Sequence, residues 1–183
     1  MFLEEQKKSA RLISLRYSSD VVIADFDIWT DGGYDIATGK GAYSYVIIDE
    51  NGVEVCRHAE RVEHSTNNQC ELMAVDEALR TIPMGSVVRV HTDSQYAIGV
   101  LSHDFRRKKN LDLLEMYDAL VWDAALVVHF KWVRGHSGDA LNELCDAMCV
   151  EAMENGDDKE EKRKEIWIMQ EMEKLPHIFD FSD

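Results

Sequence analysis

Prolines and glycines are scarce, two and ten among 183 residues, which excludes collagen-like and linker-dominated architectures. No stretch approaches the roughly eighteen consecutive apolar residues that a membrane-spanning helix needs. The segment behind Met1 carries Glu4 and Glu5 where a secretory signal carries bases, and no apolar run follows. The expectation is a soluble, unsecreted, cytoplasmic protein with no membrane partner. The four cysteines, Cys56, Cys70, Cys145 and Cys149, form no CxxC pair and no zinc-type spacing with histidine. Cys145 and Cys149 lie one helical turn apart and read as small buried hydrophobes suited to a reducing compartment. Bases are short as well: 20 Lys and Arg face 35 Asp and Glu, for a net charge of −15. A protein that grips nucleic acid by phosphate neutralisation alone should be basic. Whole-chain charge therefore argues against such a partner until the acids are located.

The chain is 45% hydrophobic and 9% aromatic, enough to bury a sizeable core, and its length predicts one domain with an appendage. The reading places an N-terminal extension at 1–24, a main domain at 25–153 and an acidic helical extension at 154–183. Phe26, Ile28 and Trp29 read as a strand that closes at Thr30-Asp31-Gly32-Gly33. The run from Ala42 to Ile48 is rich in strand formers, Asn51-Gly52 is a strong hairpin signal, and Val53–Val62 returns, so the domain opens as a three-stranded antiparallel meander. Ser65-Thr66-Asn67-Asn68 supplies capping side chains to a helix through Leu79. Val87–Thr92 reads as a buried strand, Ser94–Leu101 as a short helix, Leu111–Trp122 as an amphipathic helix, Ala125–Val133 as a fifth strand and Leu141–Met153 as a last helix. The sum is an α/β fold, a five-stranded mixed sheet flanked by helices, with its later strands parallel.

Four acids stand at strand ends or helix starts: Asp31, Glu71, Asp93 and Asp146. Each alone reads most simply as a cap or turn former. In an open sheet, however, neighbouring strand ends place Asp31 beside Asp93, where ligands gather, and two helices bring Glu71 and Asp146 towards them. Four carboxylates repel one another unless a cation sits among them, and a hard divalent ion with oxygen ligands, Mg²⁺ above all, suits that set.

Four separate motifs carry a resemblance. Thr30-Asp31-Gly32, Thr66-Asn67-Asn68-Gln69-Cys70-Glu71-Leu72-Met73-Ala74, Thr92-Asp93-Ser94-Gln95-Tyr96, and Trp132-Val133-Arg134-Gly135-His136-Ser137-Gly138 followed by Asn142-Glu143-Leu144-Cys145-Asp146 resemble type 1 ribonuclease H. The likeness covers about Asp27 to Met153; each fragment is weak, and their order and spacing together are specific. It implies the ribonuclease H-like fold and endonucleolytic hydrolysis of the RNA strand of RNA–DNA hybrids by a two-metal-ion mechanism, leaving 5′-phosphate and 3′-hydroxyl ends, in primer or R-loop removal. It implies that Asp31, Glu71, Asp93 and Asp146 hold two Mg²⁺ ions, with Mn²⁺ as a substitute, and that His136 assists proton transfer or product departure. Gly32, Gly33, Thr66, Asn67, Asn68, Gln95 and Asn142 fall where the family contacts the two strands.

The chain also departs from that pattern. Between Leu101 and Leu111 there is room only for a loop, so the basic protrusion of some relatives is absent, although Arg106-Arg107-Lys108-Lys109 leaves a basic run there for weak substrate contact. Asp35-Ile36-Ala37-Thr38-Gly39-Lys40 replaces an Asn-Pro-Gly-type turn, and Gln69 stands where some members carry Arg. Acidity is concentrated in residues 150–183, with eleven acids against five bases. There, Ile168, Met169, Met172 and Leu175 form an apolar stripe, and Ile178, Phe179 and Phe181 precede the final Asp183. That tail reads either as packed on its own chain or as a contact through 166–183 with a replication protein or a second copy. The alternative to an enzyme is a catalytically silent adaptor recruited through this tail.

Overall fold

The computed structural model describes residues 23–155; the readings for most of the N-terminal extension and for the stripe and tip at 166–183 lie outside them. Among the described residues the order is β1 (Phe26–Asp35), β2 (Lys40–Asp49), β3 (Glu54–Glu63), α1 (Asn67–Arg80), β4 (Val87–Thr92), α2 (Gln95–Leu101), α3 (Leu111–Asp123), β5 (Val127–Trp132) and α4 (Ala140–Asn155). The sheet runs β3-β2-β1-β4-β5. β1, β2 and β3 pair antiparallel, while β4 lies parallel to both β1 and β5. This is the mixed sheet expected from sequence.

The hairpin between β2 and β3 shows why local signals were readable. Asp49 Oδ1 accepts from the backbone N–H groups of Asn51 (2.9 Å) and Val53 (2.8 Å), and Gly52 takes a φ of +76° that a side chain would oppose. β1 differs from its expected length. It continues through Asp31, Gly32 and Gly33 to Asp35, paired to β2 as far as Asp35 opposite Lys40. The two glycines read as a break because they offer no strand propensity, but β2 supplies a continuous ladder partner. Asp31 is therefore inside a strand, not at its end.

Strand alternation divides the sheet into two faces. Ile28, Tyr45, Ile47, Val88, Val90 and Val128 pack with Leu72, Val75 and Leu79 of α1 and Leu114 and Tyr117 of α3 in the main core. Each such large side chain contributes about 1.5–3 kcal/mol on burial. The opposite face of β1–β3 carries small residues. Ala42 and Ala59 meet Cys149 and Ala152 of α4, and Ser44 Oγ donates to the Cys145 carbonyl at 2.8 Å. The Cys149 thiol donates to the carbonyl of Asp31 at 3.5 Å. Both cysteines are thus buried helix-to-sheet contacts.

α1 reaches β1 at one point of very close approach. A Cβ on Gly32 would overlap the backbone N of Glu71 and lie 2.7 Å from its Cα. Those are backbone atoms, so the helix itself would have to move. Gly32→Ala is expected to destabilise the fold by about 1–3 kcal/mol, the usual range for overpacking, measured by urea unfolding with divalent cations chelated. Unchanged stability would show that α1 yields at this contact.

Candidate active site

The parallel part of the sheet ends unevenly. The β1–β4 ladder runs only to Trp29 opposite His91, and β4 ends at Thr92 while β1 continues. Beyond that step Asp31 and Asp93, each two residues further along and on the same face, stand side by side. Glu71, in the second turn of α1, meets them over the open end of β4. One carboxylate oxygen from each of Asp31, Glu71 and Asp93 lies within 4.8 Å of the others. Asp146 of α4 stands outside that tight group but close enough for its charge to act on Asp31.

Burial makes this proximity expensive. Desolvation first, then the charges of Asp93 and Asp146, push Asp31 up to about 6. Desolvation, then Asp31 and Asp93, push Glu71 up to about 9, against the lowering effect of the Asn67 side chain. Oε2 of Glu71 is buried and has no hydrogen-bond partner. An orphaned carboxylate oxygen facing two more carboxylates fits a hard divalent cation, whose oxygen ligands at about 2.0–2.6 Å stand up to about 4–5 Å apart across the ion. The donor set is all oxygen, which suits Mg²⁺, Mn²⁺ or Ca²⁺ better than a softer metal.

Two helices begin at this cluster. The Thr66 side chain caps α1, accepting from the Gln69 N–H at 3.3 Å, and Ser94 caps α2, accepting from Ala97 N–H at 3.2 Å. Neither has an acid in its first turn, so the positive ends of both dipoles are left uncompensated by their own side chains. Thr66, Asn67, Asn68 and Gln95 are exposed at these ends. Asn142, by contrast, is buried in the first turn of α4 with its Oδ1 unpartnered. Gly32 is packed under α1, and Gly33 faces the Met153 side chain of α4.

His136 sits on the loop from β5 to α4, 81% exposed, with Nδ1 3.8 Å from Asp146 Oδ2. Its φ of +50° is unusual for a residue with a side chain. The loop is tied at its far end, where Gly138 N–H donates to Glu143 Oε1 at 2.9 Å and Asp139 Oδ1 accepts from the N–H of Asn142 at 3.2 Å. His136 is thus an exposed imidazole on a short tether beside the carboxylates.

Sequence reasoning missed the layer beneath. Trp29 and His91 stack with ring centroids 4.0 Å apart and planes 9° from parallel. His91 Nε2 lies 2.5 Å from Asp27 Oδ1, and Arg89 donates to both Asp27 oxygens at 2.6 and 2.7 Å. Burial alone would raise Asp27, but these hydrogen bonds and charges hold it well below the usual carboxylate range. Alternating polar and aromatic residues on two strands were the available signal, though the pairing register that joins them is not written in either strand. The basic run also proves divided: the Arg107 guanidinium is committed to Asp118 and to the Val100 carbonyl, leaving Arg106, Lys108 and Lys109 exposed.

The raised carboxylates have a direct consequence for stability. Without cations the folded chain keeps protons that the unfolded chain has released, so stability falls as pH rises from 3.8 towards about 6 for Asp31 and from 4.5 towards about 9 for Glu71. Cation binding displaces those protons and offsets the repulsion. The rise in melting temperature on replacing EDTA with saturating Mg²⁺ is therefore expected to be larger at about pH 8 than at about pH 5; an equal or smaller rise at the higher pH would contradict this account of the cluster.

Comparison with known proteins converges on the same segment. The ribonuclease H (RNase H) family model matches residues 24–154. The chain is 34% identical over 156 residues to the ribonuclease H of Treponema denticola, spanning 70% of this chain and 96% of that protein. It is 33% identical over 141 residues to the ribonuclease H of Bordetella pertussis, covering 70% and 88%. It is 37% identical over 153 residues to the ribonuclease H of Anaeromyxobacter dehalogenans, covering 70% and 80%. The matched span contains every element that builds the carboxylate cluster, from β1 to α4, and on that match the chain belongs to the ribonuclease H family.

Proposed function

We propose that this ribonuclease H-family nuclease hydrolyses the RNA strand of RNA–DNA hybrids endonucleolytically, leaving 5′-phosphate and 3′-hydroxyl ends, and serves in primer or R-loop removal. The observation that carries the reading is the gathering of Asp31, Glu71 and Asp93 oxygens within 4.8 Å, with a buried Glu71 oxygen lacking any partner. Family membership supplies the substrate class. Asp31, Glu71, Asp93 and Asp146 would hold two Mg²⁺ ions, with Mn²⁺ as a substitute. Ions in such a site supply Lewis-acid stabilisation of phosphoryl charge and lower the pKa of water.

The chain's own groups do the rest. At the N-terminal turns of α1 and α2, the backbone N–H groups that the Thr66 and Ser94 caps do not take would be offered to phosphate. Thr66, Asn67, Asn68 and Gln95, exposed at those turns, would hydrogen-bond nucleotide sugars and bases, and a 2′-hydroxyl contact would tell RNA from DNA. His136, exposed on its loop beside Asp146, would take or give a proton during the reaction. Gly32 and Gly33 would serve from beneath, the first by letting α1 close on β1 so that Glu71 stands beside Asp31, the second by making room for Met153 of α4. The silent-adaptor alternative is dropped, because nothing in the fold, the site or the comparisons supports it.

The test is cleavage of a labelled RNA–DNA hybrid beside single-stranded and duplex RNA controls, with and without Mg²⁺. Cleavage confined to the hybrid and dependent on the ion is expected; equal cleavage of all three substrates would defeat the proposed specificity. Asp93→Asn should abolish turnover while leaving the fold intact or stabler, since it removes one of the clustered charges and one ligand together. Near-normal turnover by the folded variant would remove Asp93 from the machinery. His136→Ala should slow turnover by about 10²–10⁴, the usual worth of general acid–base help, with metal and hybrid binding retained. Loss of Mg²⁺ affinity in that variant would instead make His136 a ligand or a prop.

A further inference from the structure

We infer that Trp132 and Gly135 are positioning residues that seat the Asp93 carboxylate for its cation; the inference rests on the functional reading above. Asp93 lies one residue beyond the last ladder pair, Thr92 opposite Trp132, so the sheet itself no longer fixes its carbonyl. The indole N–H of Trp132 takes over, donating to the Asp93 carbonyl at 3.2 Å although half of the tryptophan is exposed. From the other side, Gly135 passes against the carboxylate. A Cβ there would overlap Asp93 Oδ2 and stand 3.4 Å from its Cγ.

That glycine is required for space rather than for backbone freedom. Gly135 is absent from the residues with positive φ, whereas Gly138 three residues later has a φ of +91° and open space where its Cβ would lie. The two glycines of one loop thus answer different constraints. At Gly138 a side chain strains the backbone, and at Gly135 it displaces a carboxylate. The atom displaced is the far end of a movable side chain, so Gly135→Ala is compatible with a folded chain. Its effect falls on where the Asp93 oxygens point.

Groups that orient a metal ligand without touching the ion typically govern affinity by about 10- to 100-fold. Gly135→Ala is therefore expected to weaken Mg²⁺ binding by about that factor, read by NMR titration of the full chain with Mg²⁺ and no hybrid present. At saturating Mg²⁺ the variant's kcat should return to within about threefold of the parent, with KM for hybrid unchanged, since binding of substrate is not what was altered. Trp132→Phe keeps the ring and loses the hydrogen bond, and should weaken Mg²⁺ binding by about two- to tenfold. Gly138→Ala, which disturbs the loop without meeting Asp93, should leave Mg²⁺ affinity within about twofold of the parent. Equal weakening in Gly135→Ala and Gly138→Ala would overturn the inference, because disturbing the loop anywhere would then suffice. Unchanged affinity in Gly135→Ala would overturn it as well. If Gly135→Ala does not fold, Trp132→Phe decides alone, and parental affinity in that variant rejects the seat. A parent chain that binds no Mg²⁺ at all would remove the metal-site reading itself, an outcome distinct from these.

Discussion

Packing forces together groups that electrostatics would separate. The close approach of α1 to β1 at Gly32 leaves no room for even a methyl group, and the next residue along each element at that crossing is chemical: Asp31 precedes Gly32, and Glu71 is the residue whose backbone lies against it. The main core behind this contact, built on Ile28, Leu72, Val75 and Leu79, holds the crossing in place with several large buried side chains. Repulsion among three carboxylates is of the order of a few kcal/mol at the effective dielectric of such sites. The core absorbs it. The site is thus a place where the fold stores unfavourable energy that a cation can release.

The contrast within β1 makes the point without reference to any other protein. Asp27 and Asp31 are the same residue type, four positions apart, facing the same side of one strand. Asp27 finds Arg89 and His91 and is held well below the usual range; Asp31 finds Asp93 and Asp146 and is pushed up to about 6. Burial acts to raise both. What separates them is the sign of the neighbouring charge. The compensated Asp27 network and the stacked Trp29–His91 pair form a floor of paired charge and stacked rings, and the uncompensated carboxylates stand on it. A site that must present ligands at fixed spacing gains from such a floor, because side chains held by a second layer of contacts lose little freedom when an ion arrives.

Much of this was legible in the residue order, and the illegible parts have physical reasons. Alternation and the Asn51-Gly52 turn revealed the meander, and the capping side chains of Ser65-Thr66-Asn67-Asn68 revealed where α1 begins. The acids stood out because they read as standing at strand ends or helix starts rather than on solvated faces. The Gly32-Gly33 pair misled about β1, since a glycine that serves tight interelement packing looks locally identical to one that serves a turn. Trp132 and Gly135 were visible as parts of a motif, but the contacts they make to Asp93 cross between strand end and loop. The fate of Arg107 was invisible for the same reason: Asp118 lies eleven residues on, and only the packing of α3 brings it back to the basic run.

The acidity of the chain takes on a different meaning once charge is located. A net of −15 describes the polypeptide without ions, and the carboxylate cluster of Asp31, Glu71 and Asp93 is a patch whose oxygens are close enough to hold a cation. Filling that patch reverses the local sign at the point where a phosphate would arrive, between two helix ends that already favour anions. Under the proposed function, grip and chemistry would then depend on the same ions rather than on a separate basic surface. The tethering of Arg107 agrees with this, because a run of four cations that commits one of its two guanidinium groups to an internal salt bridge is a weaker electrostatic handle. An acidic chain can approach a polyanion on these terms only through its cation-loaded end, which turns a general charge mismatch into a means of orienting the substrate.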